Sequence, residues 1–119
     1  MRIDVRRADS PVMPVIRWEI RSIDVPSDIS LALNETRMYL RSAPRPTRIE
    51  LVFHPQATVS LRAVPDIRGI FKALEQHQVV LIGVPARLRS LLEGITAQFT
   101  PQQVQFLPAA PSEEAPLGR

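Results

Sequence analysis

The sequence predicts an α/β fold: a mixed sheet of four to five strands with helices packed against it. Two segments near the N-terminus alternate apolar and charged residues, and three later segments repeat apolar residues at helical spacing. Short apolar runs separate those helical segments. The predicted order is therefore β-β-α-β-α-β-α. Strands joined through helices favour parallel pairing, whereas a hairpin adds an antiparallel pair.

The first two strands are predicted from alternation. Ile3 and Val5 lie between charged residues, and a longer segment alternates in the same way around Ile16, Trp18 and Ile20. The segment between them contains two prolines and indicates a loop. We therefore expect an antiparallel hairpin with one buried face.

A first helix is predicted to begin at residues 25–28, where Ser27 or Asp28 can accept hydrogen bonds from the free N–H groups of the first turn. Pro44 is expected to stop this helix. Residues 48–55 predict a central strand, and a short extra strand is expected around residues 59–61. The apolar stripe of the helix consists of Ile29, Ala32, Leu33, Thr36, Leu40 and Ala43.

The second half of the chain repeats this pattern. Pro65 and Asp66 open a second helix, residues 78–84 predict a strand, and residues 86–94 predict a third helix with Gly94 at its C-terminus. The buried stripes are expected to contain Ile67, Ile70, Phe71 and Leu74 in the second helix and Leu88, Leu91, Leu92 and Ile95 in the third.

A last edge strand is expected around Val104 and Phe106. One domain over residues 1–107 is then followed by residues 108–119, whose prolines and small residues predict a disordered tail. The 119 residues fit one domain, and an apolar fraction of 45% suits a globular chain. The chain has no cysteine, which excludes disulfides, thiolate metal sites and a cysteine nucleophile.

The N-terminus and the apolar runs bear on localisation. Residues 1–14 carry charges throughout, so they lack the apolar core of a signal peptide. The apolar stretches are far shorter than a membrane span. We expect a cytoplasmic protein that makes no membrane contact.

Residue patterns typical of enzymes are missing from the sequence. Two histidines without a His-x-x-x-His pair do not predict a metal site, and neither a phosphate-binding glycine loop nor a nucleophile elbow occurs. We therefore predict no catalytic residues, no cofactor and no metal. His54 ends the predicted central strand, where ligands of open α/β sheets collect, and is the candidate ligand-edge residue. A half-exposed residue at a strand end is the simpler interpretation. His77, at the predicted end of the second helix, suits a structural role.

Arginine dominates the basic residues and raises the net charge to +3. Arginine binds phosphate and carboxylate through two parallel hydrogen bonds, so a small basic nucleic-acid-binding accessory protein is an alternative function. A solvated charged surface explains the same residues more simply. The two candidate groups are Arg2, Arg6, Arg7, Arg17 and Arg21, and Arg37, Arg41, Arg45 and Arg48.

The order of elements over residues 2–95 resembles the STAS domain of bacterial anti-sigma-factor antagonists. RIELVF is similar to the central strand of that family, VPDIRGIFKALEQHQ to its second helix, and VVLIGVPARLRSLLEGI to the strand, turn and helix that follow. The resemblance implies a non-enzymatic regulatory domain that binds a partner protein, either a regulator or a kinase-like protein. The phosphorylated Asp-Ser-Ser/Thr-Gly loop of the family matches Ala63, Val64, Pro65 and Asp66, which carry no hydroxyl. The phosphorylation switch is therefore expected to be lost.

The resemblance also implies a docking surface at the start of the second helix. Asp66 places a permanent negative charge where a phosphate would have met the helix dipole, although a favourable first-turn acid is the simpler interpretation. Thr58 and Ser60 lie upstream, and neither is assigned a role. The oligomeric state is left open. The predicted partner-binding residues are Val64, Pro65, Asp66, Arg68 and Gly69.

Overall fold

The computed structural model describes residues 2–8, 13–42 and 47–109. Its five-stranded mixed sheet, with three helices packed against it, confirms the predicted α/β class. The elements in chain order are β1 (Ile3–Arg7), β2 (Val15–Ile23), α1 (Pro26–Leu40), β3 (Arg48–Val59), a 3₁₀ turn (Leu61–Ala63), α2 (Val64–Ala73), β4 (Gln78–Ile82), α3 (Ala86–Thr96) and β5 (Val104–Leu107).

The strands lie in the sheet in the order in which they follow in the chain. β1 pairs with β2 in antiparallel fashion, which confirms the predicted hairpin, and β2 to β5 are parallel to one another. The three crossovers therefore all step in one direction across the sheet. Because such crossovers are right-handed, all three helices lie on the same face.

The core lies between that face and the helices. Alternate strand residues point into it, as the register row from Trp18 through Leu51 and Leu81 to Phe106 shows. Each helix contributes an apolar stripe, represented by Ile29, Ala32, Ile67, Ile70, Phe71, Leu88, Leu92 and Ile95. The predicted stripes are buried at these positions because the helical period of 3.6 residues matches their spacing.

A buried hydrogen bond fastens α1 to the sheet. The Nε1–H of Trp18, which has no exposed surface, donates to Oγ1 of Thr36 at 2.8 Å. The hydroxyl of Thr36 in turn donates to the carbonyl oxygen of Ala32 at 2.8 Å. The largest core side chain therefore keeps its polar atom satisfied, as burial requires.

The start of α1 lies within the predicted residues 25–28, whereas α3 ends later than predicted. α1 starts after Val25, and Asp28 in its first turn accepts from the backbone N–H groups of Asp24 and Val25 at 2.9 and 3.2 Å. Ser27 therefore does not cap this helix. Gly94 lies inside α3, which continues to Thr96 because Ile95 and Thr96 are buried.

β3 continues past the predicted residues 48–55 to Val59, so Pro55 lies inside the strand. The register with β2 jumps from Ile20–Phe53 to Ser22–Thr58, so residues 54–57 bulge out between two paired stretches. Proline is tolerated there because a bulged residue needs no ladder N–H. The expected extra strand at residues 59–61 is therefore the end of β3 followed by the 3₁₀ turn.

Some predictions concern residues outside the described ranges. These are residues 9–12 of the hairpin loop, Ala43, Pro44 and Arg45 after α1, and residues 110–119 of the predicted tail. Of the predicted tail, Pro108 and Ala109 are described, and Ala109 lies beside Gly83 at the end of β4.

Candidate functional site

The start of α2 follows a short connection from β3, which several hydrogen bonds of Ser60 stabilise. The N–H of Ser60 donates to the carbonyl of Ile23 at 2.8 Å, and this hydrogen bond joins the connection to β2. Its carbonyl and its side chain then accept from the N–H groups of Ala63 and Arg62 at 3.0 and 3.4 Å. The 3₁₀ turn runs directly into α2. We call the surface from Leu61 to Gly69 the α2 tip.

The α2 tip brings together the five predicted partner-binding residues. Pro65, Arg68 and Gly69 are exposed and share one flank of the helix, since they are three and four positions apart. Asp66 is half-buried in the first turn, where the free N–H groups of the helix favour a negative charge. Val64 is half-buried and packs against the core, so its main contact is with the protein itself.

Sequence reasoning missed Leu61 as a member of this surface. Leu61 is 77% exposed, more than either of the other exposed large apolar side chains among the described residues, Leu31 and Met38. A strand was predicted over residues 59–61, and the side chain of Leu61 in such a strand would be partly covered by neighbouring strands. Leu61 is thus an exposed apolar residue in the same short segment as the charged residues Arg62, Asp66 and Arg68.

Two hydroxyl side chains, Thr58 and Ser60, lie before the α2 tip in the chain. Ser60 is half-buried and its Oγ accepts from Arg62 N. Thr58 lies exposed within β3, opposite Ser22. Neither lies in α2 or in its first turn.

His54 lies apart from the α2 tip, in the bulge of β3. It is exposed, and its Nδ1 accepts from the N–H of Gln56 at 3.0 Å. With Glu19, Arg21 and Val52 it borders a shallow groove of 270 Å³ on the face of the sheet opposite the helices. Arg87 at the start of α3 holds the same bulge by donating to the carbonyl oxygens of Pro55 and Ala57.

His77 lies in the turn between the end of α2 and the start of β4, where it makes a structural hydrogen bond. Its Nδ1 accepts from the backbone N–H of Thr47 at 3.0 Å. Burial lowers the pKa of His77 from its ordinary value, because desolvation disfavours the charged imidazolium. The neutral ring is also the form that can accept this hydrogen bond.

Carboxylates balance several of the arginines that sequence reasoning grouped. Glu50 is buried in β3 and accepts from both Arg17 and Arg48, with nitrogen–oxygen distances of 3.0 and 2.9 Å. Arg6 pairs with Glu19, and Arg2 pairs with Asp24 at 2.7 Å. Much of the positive charge on this part of the sheet is therefore neutralised within the chain. Arg37 and Arg41 are exposed at the end of α1.

The described residues contain neither a metal-binding cluster nor a membrane-spanning helix. No group of three or more His, Cys, Asp or Glu side chains there has the arrangement of a metal site. No helix in those residues combines the length and the apolar character needed to cross a bilayer. No family model, curated protein or solved structure matches the chain.

Proposed function

We propose that this chain is a non-enzymatic regulatory interaction domain that resembles anti-sigma-factor antagonists and binds a partner protein through the α2 tip. The partner would be a regulatory or kinase-like protein, as the resemblance implies. The observation that carries the proposal is the exposure of Leu61, 77%, on a hydrogen-bonded turn beside the predicted docking residues.

The chemistry of the α2 tip supports a protein as the ligand. Leu61 and Pro65 offer apolar contact, and Arg62, Asp66 and Arg68 supply charges of both signs around it. An apolar centre with a charged rim is typical of protein interfaces, because the centre supplies desolvation energy and the rim supplies specificity.

Gly69 adds a second argument. A Cβ at this position would meet no atom within 4 Å, so the fold does not require glycine there. Glycine inside a helix costs about 1 kcal/mol relative to alanine. A partner backbone that approaches α2 closely at Gly69 would explain why the position carries no side chain.

The ion pairs of the sheet favour this proposal over the nucleic-acid alternative. A nucleic-acid surface needs arginines that are free to neutralise phosphates. Arg2, Arg6, Arg17 and Arg48 instead pair with carboxylates of the same chain.

Capture from a native extract of the source cells tests the proposal. The test variant combines Asp66→Arg with Arg68→Glu, which reverses the local charges without changing the net charge. The matched control combines Lys72→Glu with Glu75→Lys, which does the same to an exposed ion pair of 3.9 Å at the other end of α2. We expect the test variant alone to lose the specific partner. If it retains every protein that the wild type captures, the α2 tip is not the docking site.

Gly69 and Gly94 provide a second matched pair. Both are exposed helical glycines at which a Cβ would meet nothing within 4 Å. Gly69→Gln should reduce capture, because it places a side chain between α2 and the partner, whereas Gly94→Gln should leave capture unchanged. Equal capture by the two variants would remove the close-approach argument.

A further inference from the structure

Among the described strands, β1 pairs on one side only, with β2. β1 is the terminal strand of the sheet, and its ladder with β2 is closed by the bonds Arg21 N to Arg2 O and Ala8 N to Val15 O, both 2.8 Å. Partners in an antiparallel ladder alternate between bonded and non-bonded pairs. The even-numbered residues therefore bond to β2, and the backbone groups of Ile3 and Val5 point away from it.

The side chains of β1 form a self-complementary pattern of charge. Asp4 and Arg6 lie on the helix-free face on either side of Val5. Asp4 stands opposite Glu19, a like charge, and makes no ion pair within the described residues. Edge strands often carry charges of one sign that prevent pairing, but here the two charges are opposite.

We propose that a second copy of this chain pairs with the outer edge of β1, antiparallel and in register about Val5, to join the two sheets into one. In this register each Asp4 lies opposite Arg6 of the other copy, twice in the dimer, and Arg6 then lies between Glu19 of its own chain and Asp4 across the seam. A shift by two residues in one direction would place Asp4 opposite Asp4, and in the other Arg6 opposite Arg6. Since like charges directly opposite each other are destabilising, the charges select one register.

Apolar side chains on α1 support the same twofold arrangement. α1 packs on β1 and β2, and Leu31 and Glu35 line a groove of 620 Å³ beside Ile3. Leu31 and Met38 are 59% and 64% exposed and lie on one flank of α1, seven positions apart. These are two of the three exposed large apolar side chains in the described part of the chain.

The spacing of strands and helices brings these side chains together. A helix seated over β1 and β2 lies about 5 Å from the proposed seam, so the two α1 helices would be about 10 Å apart, a normal packing distance. α1 runs in the same direction as β1, and Leu31 lies beside Ile3. The rise along the strand from Ile3 to Val5 equals the rise of about four residues in a helix. The twofold axis at Val5 thus passes near Glu35 and sets Leu31 opposite Met38 of the second copy.

Glu35 makes the one unfavourable contact of this dimer, because it approaches Glu35 of the second copy. This gives a diagnostic variant: Glu35→Gln should strengthen self-association, whereas it would have no such effect on a dimer formed elsewhere. The proposal is independent of the partner function, since it uses a different surface.

Analytical ultracentrifugation over a range of protein concentrations tests the proposal. The wild type should reach twice the 13.4 kDa mass of one chain. Asp4→Arg and Arg6→Asp should each weaken the dimer by about tenfold or more, because each places like charges opposite each other. The double variant Asp4→Arg/Arg6→Asp restores both opposite pairs and should dimerise, as should an equimolar mixture of the two single variants.

Two results would overturn the proposal. One is a wild type that stays monomeric at every concentration, which would leave the β1 edge to a different occupant or to solvent. The other is a dimer that both single variants form as readily as the wild type, which would place the interface elsewhere. Circular dichroism spectra that match the wild type confirm that each variant is folded.

Discussion

Replacement of Thr36 by valine removes the hydroxyl that accepts the indole N–H of Trp18. Valine has nearly the same shape and the same branching at Cβ as threonine, so the helix and the packing are preserved. Trp18 has no exposed surface, so its Nε1–H cannot donate a hydrogen bond to solvent instead. The distance of 2.8 Å shows that the wild-type bond is fully formed.

A buried donor without a partner costs about 1–3 kcal/mol. The carbonyl of Ala32 loses only the extra bond from the hydroxyl, since the helix ladder still supplies its backbone partner. We therefore expect Thr36→Val to lower the free energy of unfolding by about 2 kcal/mol. For a chain of this length the melting temperature should fall by about 8 °C.

Urea unfolding of a double-mutant cycle measures this effect. Trp18→Phe removes the donor, so Thr36→Val should cost much less in that background, with a coupling of about 1–2 kcal/mol between the sites. If Thr36→Val alone has no effect on stability, or if the two substitutions are additive, then the indole does not depend on this hydroxyl and the reasoning is wrong.

Three further predictions concern glycine and histidine. Gly83→Ala should destabilise the fold by about 1–2 kcal/mol in urea unfolding, because Gly83 has φ +70. Gly94→Ala should instead add about 0.5–1 kcal/mol, since a Cβ there meets nothing within 4 Å; a reversed order of the two would contradict this account. Stability should fall below pH 6.5, the ordinary pKa of histidine, and the loss should continue through the lower native pKa of His77. His77→Gln should remove this part of the pH profile, and an unchanged profile would show that another group causes it.

Local patterns sufficed to predict most of the fold, for a physical reason. In β1 and β2 one face is buried and the other meets solvent, so the alternation of Ile16, Trp18 and Ile20 records the pleat directly. The helical stripes record burial in the same way. In both cases neighbouring residues carry the signal, and no distant contact is needed to interpret it.

The errors arise where distant contacts decide. Pro55 suggested a strand end, but β3 continues because its bulge is held by Arg87 from α3. Gly94 suggested a helix end, but α3 continues because Ile95 and Thr96 are buried against other elements. Those contacts join residues far apart in the chain, so local spacing does not reveal them.

The candidate site was predicted only in part. The five predicted residues between Val64 and Gly69 lie together because they belong to the first two turns of one helix. Leu61 was missed because its exposure depends on the 3₁₀ turn that follows β3. The pairing of Glu50 with two arginines was equally hidden, since Arg17 joins it from a different strand.

Hydrogen exchange of the chain, measured by mass spectrometry with and without the captured partner, shows whether the partner covers the α2 tip. If the α2 tip is the docking site, the partner should slow exchange chiefly in peptides that cover residues 61–69, while peptides of α3 exchange as before. Slowed exchange elsewhere, with residues 61–69 unchanged, would contradict the account.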